Sequence, residues 1–269
     1  MQHTRECVDA ITRAKLSHLL RPFTCTKVTR TSRAPLVLGT GLGDTGTRSV
    51  AHLVDALGIA TCHRTGETVR ALRRTSLGDF TAFESSRAWF DTPVSAIWRK
   101  LACAFPDFKI VHTTRADYHR HYEPGSKKCT GFNHDQAAIH CLAYGVKCPT
   151  SAQARTAFDH LEAELREHAP PSRLLVLNMS EGDGPGGFQS AAVARFLGRP
   201  LPARYARSKG IPKNDKFFCH HVRAPEKKRP PSPEYSLIMR PRPRLGSCAH
   251  FAGFLWRCTR NLFSVREFE

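Results

Sequence analysis

A run of glycines and threonines between two apolar segments constrains the fold of this chain most strongly. Residues 35–39 have the sequence PLVLG, residues 40–47 have the sequence TGLGDTGT, and residues 47–57 place apolar side chains at three- and four-residue spacing. This order predicts a buried strand, a tight loop and a helix that ends at Gly58. Glycines let the N–H groups of such a loop approach an anion, and the helix N-terminus adds a favourable dipole. Residues 34–58 therefore predict a phosphate-binding loop, although any tight strand-to-helix turn also favours glycine.

The middle of the chain alternates apolar runs with amphipathic stretches. Pro93 indicates the start of a second helix, because proline is tolerated in a first helical turn. Thr150 or Ser151 can cap a long helix that stops before the two prolines at 170–171. The other predicted elements are strands at 108–114 and 173–179 and a helix at 188–198. Strands that alternate with helices predict an α/β fold with a parallel sheet flanked by helices.

The net charge of +18 is concentrated at the two ends of the chain. Residues 1–33 hold seven Lys and Arg against two acids, and residues 217–269 hold ten against four. We expect a basic leader at 1–33, an α/β domain at 34–216 and a Pro/Arg-rich tail at 217–269, with both extensions largely disordered. The charge on the middle favours an anionic ligand but is too diffuse to indicate a nucleic-acid groove. Nucleic-acid binding through the tails is the weaker alternative.

The ten cysteines predict reduced, unpaired thiols, because they are scattered along a long chain and form no CxxC pair. Cys219, His220 and His221 are too close in sequence to complete a tetrahedral site without distant partners, so we expect no metal. No run approaches the roughly 18 apolar residues of a transmembrane span. The N-terminus lacks a secretory apolar core and is weakly compatible with a transit peptide, or it is an unstructured leader. These features predict a cytoplasmic or organellar protein without a membrane anchor.

The residues after the last glycine of the loop indicate which class of nucleotide the loop can bind. A loop that hydrolyses ATP or GTP needs GxxxxGK[ST], in which the lysine reaches the terminal phosphates and the next hydroxyl holds magnesium. Gly41 and Gly46 have this spacing, but Thr47 and Arg48 follow. The hypothesis that the chain is a small-molecule kinase is therefore supported by the glycine spacing alone.

The loop also satisfies the GxGxxG pattern of dinucleotide-binding folds through Gly41, Gly43 and Gly46. That fold uses an acidic residue after its second strand to bind the ribose. His63 lies where this acid is expected, and Glu67 is a loose candidate. The dinucleotide pattern is therefore poorly supported.

Residues 35–215 resemble the sulfotransferase superfamily, in the branch that begins with a strand and GxGxTGTxSL. The motifs follow in the order of the family: GLGDTGTRSV, the pair Cys62-His63, FDTP at 90–93, FPDFKIVHTTRAD, and LLVLNMSEG followed by VARFLGRPLP. The first and fourth motifs are specific, and the others are individually common. The resemblance implies a P-loop-type parallel sheet flanked by helices and an enzyme that transfers a sulfuryl group.

The resemblance implies 3′-phosphoadenosine 5′-phosphosulfate (PAPS) as the donor. Its 5′-phosphosulfate is expected in the loop, where the binding residues are Gly41, Gly43, Asp44, Thr45, Gly46, Thr47 and Ser49. In the family an arginine at a strand end binds the 3′-phosphate, which corresponds to Arg115, and a guanidinium can pair two phosphate oxygens at once. An ordinary surface ion pair is the alternative for Arg115. The family's second phosphate-binding serine has no match at Glu123, and Ser126 is the nearby candidate.

Sulfuryl transfer is an in-line displacement that spreads negative charge over peripheral oxygens, so positioning and electrostatic stabilisation supply most of the catalysis. An acceptor hydroxyl or amine, on a glycan or other carbohydrate or on a small metabolite, must also lose a proton. His63 or Asp91 is the expected general base, and His63 is favoured because its pKa lies nearer neutrality. Alternatively, His63 is a packed or surface histidine and Asp91 caps the helix that Pro93 opens.

Asp44 departs from the pattern of the family. Many relatives place a lysine or arginine there to stabilise the bridging oxygen as it leaves, whereas an aspartate repels the phosphosulfate. Arg48, one helical turn away, can supply this charge as a catalytic residue. Otherwise the chain is a catalytically weak or inactive nucleotide-binding relative, and Asp44 can also bind an arginine or the acceptor.

Overall fold

A six-stranded sheet forms the centre of the molecule. The computed structural model describes residues 4–21, 36–63, 65–77, 80–116, 118, 129, 131–180, 188–206 and 218–220. The strands are β1 (Val37–Gly39), β2 (Thr61–His63), β3 (Ala88–Phe90), β4 (Lys109–Thr114), β5 (Leu174–Asn178) and β6 (Phe218–Cys219). Their order is β5-β4-β1-β3-β2-β6. Strands β1 to β5 run parallel, and β6 is antiparallel to β2.

Helices cover both faces of this sheet. Those in the described ranges are α1 (Arg5–Arg13), α2 (Thr47–Ala56), α3 (Thr65–Arg74), α4 (Thr92–Ala104), α5 (His134–Tyr144), α6 (Ser151–His168), α7 (Phe188–Leu197) and α8 (Ala203–Ala206). Thr150 caps α6 through a reciprocal pair of hydrogen bonds with Gln153, and Pro93 lies in the first turn of α4. None of the helices in these ranges is long and apolar enough to cross a membrane.

Alternating side chains of the strands divide the core between the two faces. Leu38 and Trp89 belong to the larger core, to which α1, α3, α4, α5 and α6 contribute. Val37 and Phe90 belong to the smaller core, with α2, α7 and α8. The loop after β1 therefore passes from one sheet edge to a helix on the face with the smaller core.

The predicted α/β fold with a parallel sheet flanked by helices is confirmed. The strands predicted at 35–39, 108–114 and 173–179 correspond to β1, β4 and β5. Strands β2 and β3 have three residues each and are too short to show a period in the sequence. Strand β6 lies just beyond residue 216, so the sheet includes a strand from the segment predicted to be a tail.

Residues 4–21 correct the expectation of a largely disordered N-terminal leader. Helix α1 begins after Thr4, whose side chain accepts a hydrogen bond from the N–H of Cys7 at 3.3 Å. Cys7 and Ile11 lie one helical turn apart and are fully buried against α5. The many basic residues of this segment obscure that short apolar stripe in the sequence.

The prediction of reduced, unpaired thiols is wrong. Disulfides join Cys7 to Cys141, Cys62 to Cys219 and Cys129 to Cys148, and Cys103 is also disulfide-bonded. Cys62 and Cys219 are separated by 157 residues. Pairing over such a distance leaves no local spacing pattern, which explains the error.

Candidate functional site

The carboxyl ends of the parallel strands bring most of the predicted site residues to one edge of the sheet. The glycine loop follows β1, His63 ends β2, Asp91 follows β3 and Arg115 follows β4. Open parallel sheets bind ligands outside this edge, next to the strand from which the connections diverge. Because β1 lies between β3 and β4, the loop occupies the middle of the edge.

Hydrogen bonds of Thr45 hold the loop in a tight arch. The Thr45 hydroxyl donates to the carbonyl of Leu42 at 2.7 Å and lies 2.8 Å from the hydroxyl of Thr113 on β4. The N–H of Thr45 also donates to the Leu42 carbonyl, at 3.3 Å. Thr45 is fully buried, and both of its polar groups are engaged inside the protein. Its observed role is thus to shape the loop.

Gly41 lies where the loop passes closest to β4. A Cβ on Gly41 would come within 1.8 Å of the hydroxyl oxygen of Thr113 and 2.4 Å of that of Thr45. The Gly41 carbonyl accepts a hydrogen bond from the hydroxyl of Ser95 on α4, at 2.9 Å. Only glycine fits between β4 and α4 at this point.

Two residues in left-handed conformations turn the loop into α2. Asp44 has φ 68° and is exposed, and Gly46 has φ 95°. Helix α2 then begins at Thr47, with Arg48 and Ser49 half-buried in its first turn. The first N–H groups of a helix have no intrahelical acceptor, so this end of α2 favours an anion.

Arg115 reaches from the end of β4 to the loop. Its Nη1 donates to the carbonyl oxygen of Asp44 at 3.4 Å. The structure therefore brings the predicted arginine and the predicted loop into contact. Ser126, the other predicted phosphate contact, lies outside the described residues.

His63 lies beside the start of α2. Its Nε2 is 3.1 Å from the hydroxyl oxygen of Thr47, and the residue is only 2% exposed. Burial lowers the pKa of His63; Asp91 opposes this change, and Arg48 adds to it. The neutral imidazole is therefore the favoured form near neutral pH.

Asp91 caps α4, as one interpretation of the sequence predicted. Its Oδ1 accepts a hydrogen bond from the N–H of Thr92 at 2.8 Å, and its Oδ2 accepts one from the hydroxyl of Thr65 at 2.7 Å. The backbone of Asp91 has φ 110° and ψ 161°, a strained region used almost only by glycine. This conformation places the carboxylate between the first residues of α3 and α4.

A comparison with protein families adds an independent observation. Residues 36–139 match the family described as sulfotransferase domain. These residues are therefore similar to a sulfotransferase domain. The matched residues run from the start of β1 into α5 and include the loop, His63, Asp91 and Arg115. A search among curated proteins found no match to the chain.

The cysteines and histidines of the described residues form no metal site. Within the described ranges, no group of three or more His, Cys, Asp or Glu side chains could hold a metal ion. Cys219 is bonded to Cys62, and Nδ1 of His220 lies 2.7 Å from the Asp55 carboxylate. These two residues of the Cys219-His220-His221 sequence thus stabilise the fold.

Strand β6 secures the outer side of β2. Phe218 pairs with His63, and the Cys62–Cys219 disulfide lies next to that pair. The ring of Phe218 lies 4.1 Å from the ring of His52 on α2. The position of His63 is therefore fixed from both neighbours, β6 and α2.

Sequence reasoning missed the polar residues behind the loop. Nδ1 of His112 lies 3.1 Å from both the hydroxyl and the carbonyl oxygen of Thr40. Burial lowers the pKa of His112 to about 4. His112 and Thr113 are polar residues inside a buried strand, and this contrast was the available signal in the sequence. Glu67, the loose candidate for a ribose-binding acid, forms an ion pair with Arg70 on α3.

Proposed function

We propose that the chain is a sulfotransferase, which transfers the sulfuryl group of PAPS to a hydroxyl or amine of a glycan, another carbohydrate or a small metabolite. The observation that supports this most is the hydrogen bond from Arg115 to the carbonyl of Asp44. It brings a guanidinium beside the N-terminus of a helix. PAPS carries anionic groups at its 5′ and 3′ ends, so it needs two anion-binding groups.

In this proposal the loop and Arg115 bind opposite ends of the donor. The N–H groups at the start of α2, with the hydroxyls of Thr47 and Ser49, bind the 5′-phosphosulfate. Arg115 pairs with the 3′-phosphate, for which its planar fork is suited. Thr45 acts indirectly, because its hydroxyl and N–H hold the loop to Thr113 and Leu42.

The chemical step needs a base on the acceptor side. A bond forms between sulfur and the acceptor oxygen or nitrogen, and the bond from sulfur to the bridging oxygen breaks. That oxygen leaves with 3′-phosphoadenosine 5′-phosphate, and the proton of the acceptor passes to the base. We assign the base to His63, which burial keeps neutral, because both oxygens of Asp91 already accept hydrogen bonds. Arg48, whose charge acts on His63, is assigned to stabilise the leaving oxygen.

Incubation of the full chain with sulfur-35-labelled PAPS and a panel of sugars, glycans and amines tests this function. We expect label on at least one acceptor, and less label in the Arg115→Ala variant when PAPS is not saturating. Arg155→Ala is the matched control, since Arg155 pairs with Asp159 on the exposed side of α6. Absence of transfer, together with absence of binding of 3′-phosphoadenosine 5′-phosphate, would sink the proposal.

Asp44 supports one alternative, a nucleotide-binding relative with little turnover. Its side chain is exposed on the loop, at the position where a cation is expected by resemblance. Under this alternative, calorimetry detects binding of 3′-phosphoadenosine 5′-phosphate while no label is transferred. Transfer gained by Asp44→Lys would then identify Asp44 as the cause.

We also infer that the chain folds in an oxidising compartment. Disulfides persist there and are rare where glutathione keeps thiols reduced, and seven described cysteines are disulfide-bonded. Intact mass after thiol alkylation without reduction tests this inference on protein from its natural source. Alkylation of every cysteine would contradict it.

A further inference from the structure

The hydroxyl of Tyr144 lies against the glycine loop. Tyr144 is the last residue of α5, and its side chain is buried. Its Oη lies 3.3 Å from the place that a Cβ on Gly43 would occupy, and it hydrogen-bonds with the backbone of Gly43. The mechanism proposed above does not use this tyrosine.

Buried aromatic rings fix the position of this side chain. Oη of Tyr118 lies 3.4 Å from Oη of Tyr144, and the Tyr118 ring stacks on Phe158 of α6 at 4.7 Å between centroids. The ring of His140 lies 5.2 Å from that of Tyr144. Helix α5 ends here because Gly145 takes φ 75°. Tyr144 therefore presents its hydroxyl to the loop from a rigid setting.

The hydroxyl remains protonated under physiological conditions. Burial raises the pKa of Tyr144 to about 12, and the charges of Asp44 and Asp91 act in the same direction. A neutral phenol can both accept and donate a hydrogen bond. It can therefore hold a backbone group of the loop without adding negative charge beside a phosphate.

The loop is held at further points on either side of Gly43. The Gly41 carbonyl accepts from Ser95, and the Thr45 hydroxyl contacts Thr113. Gly43 lies between these two points and has no side chain of its own to anchor it. The contact with Tyr144 supplies an anchor in the middle of the arch.

We propose that Tyr144 is a positioning residue that holds Gly43 and so sets the shape of the phosphate-binding loop. The choice of ligand in the test rests on the proposed function, whereas the contact itself does not. Donors that are fixed in advance bind an anion without the cost of reorganising the loop. Removal of the Tyr144 hydroxyl should therefore weaken nucleotide binding while the fold is retained.

Calorimetry with 3′-phosphoadenosine 5′-phosphate on the full chain tests this role. For Tyr144→Phe we expect an affinity about five- to tenfold lower, the size of one lost hydrogen bond to the loop. Tyr118→Phe is the matched control, because it removes the other hydroxyl of the buried pair, and its affinity should change less than about twofold. Thermal unfolding of both variants shows whether each retains its fold.

A second pair of measurements needs no catalysis. Hydrogen exchange of the peptide that contains residues 40–46, without ligand, should be faster in Tyr144→Phe than in Tyr118→Phe. In a double-mutant cycle, Gly43→Ala adds a Cβ 3.3 Å from the Tyr144 oxygen. Removal of that oxygen should reduce the loss of nucleotide affinity that Gly43→Ala causes. The affinity losses of the two single variants should therefore not add in the double variant.

The outcomes separate this inference from the proposed function. If the unmodified chain does not bind the nucleotide, the proposed function fails, and hydrogen exchange decides the role of Tyr144. Unchanged exchange in Tyr144→Phe overturns the inference. Where the unmodified chain binds, an unchanged affinity, or an equal loss in Tyr118→Phe, also overturns it.

Discussion

The two flanks of the glycine loop are built from different kinds of contact. The β4 flank, defined as His112, Thr113 and Arg115, meets the loop through an imidazole, a hydroxyl and a guanidinium at 2.8 to 3.4 Å. The β3/β2 flank, defined as His63 and Asp91, carries a buried histidine and a strained aspartate. The β4 flank fixes the shape of the loop, and the β3/β2 flank holds the candidate bases.

This difference separates two kinds of requirement. Residues of the β4 flank contact the loop itself, so loss of the buried ones should affect stability, and loss of Arg115 should affect nucleotide binding. His63 and Asp91 contact the first residues of the helices that follow β1, β2 and β3, namely Thr47, Thr65 and Thr92. Their loss should affect turnover more than binding.

The largest effect is expected from His63→Asn. Asparagine can still bond to Thr47, but it cannot take the proton of the acceptor, so kcat should fall about 10²- to 10⁴-fold. Turnover of the unmodified chain should fall on the acid side, as the neutral base is protonated. Because the pKa of His63 is lowered from 6.5, this fall should occur below pH 6.5. Steady-state rates from pH 5 to 8 measure both effects.

Asp91→Asn is the matched comparison for His63→Asn, because it keeps the shape of the cap on α4. If it alone removes the acid limb of the pH profile, Asp91 is the base and the assignment to His63 is wrong. If both variants keep kcat, the β3/β2 flank does not carry the chemistry.

The next effect is expected from Gly41→Ala. The new Cβ would lie 1.8 Å from the Thr113 hydroxyl oxygen, so the loop or β4 must move. We expect the free energy of unfolding to fall by about 3 kcal/mol and nucleotide binding to be lost. Gly66→Ala is the control, because nothing lies within 4 Å of its Cβ. Urea unfolding that finds both variants as stable as the parent would show that the β4 flank does not constrain the loop.

His112 should make stability depend on pH. Its pKa is lowered from 6.5 to about 4, so the unfolded chain binds a proton at this residue before the folded chain does. The contribution of His112 to the free energy of unfolding is complete above pH 6.5, the pKa of histidine in the unfolded chain. It is lost as the pH falls from 6.5 to 4, by up to roughly 3 kcal/mol. Urea unfolding of His112→Asn over this range should show a flatter slope. An equal flattening in His168→Asn, at the exposed end of α6, would show that His112 is not the cause of this pH dependence.

The smallest effect is expected from Arg115→Ala. Arg115 is partly exposed, so its loss should leave stability nearly unchanged. Affinity for 3′-phosphoadenosine 5′-phosphate should fall about 10- to 100-fold, the size of a charged hydrogen-bond pair. Adenosine 5′-phosphate, which lacks the 3′-phosphate, should bind equally to both proteins in calorimetry. A loss of the same size for both nucleotides would show that Arg115 does not recognise the 3′ end.

The sequence predicts those parts of the structure that are determined by residues close together in the chain. The strand, loop and helix at 34–58 follow one another, so apolar spacing and glycines identify all three. The motifs made His63, Asp91 and Arg115 candidates, and the topology explains why all three lie at one edge of the sheet. Parallel strands bring their carboxyl ends to one edge whatever their distance along the chain.

The remaining features depend on residues far apart in sequence. Tyr144 touches Gly43 only because α5 packs beside the loop, and Cys62 meets Cys219 only because β6 joins the sheet. The strain of Asp91 is equally invisible, since backbone angles depend on the packing of both adjoining elements. Such contacts leave no periodic signal, so the sequence indicated neither the disulfides nor the tyrosine.

A crystal structure with 3′-phosphoadenosine 5′-phosphate bound tests the central claim most directly. We expect the 5′-phosphate within hydrogen-bond distance of the N–H groups of residues 41–47 and the 3′-phosphate against the guanidinium of Arg115. A nucleotide bound away from the loop, or one whose 3′-phosphate does not meet Arg115, would contradict the account.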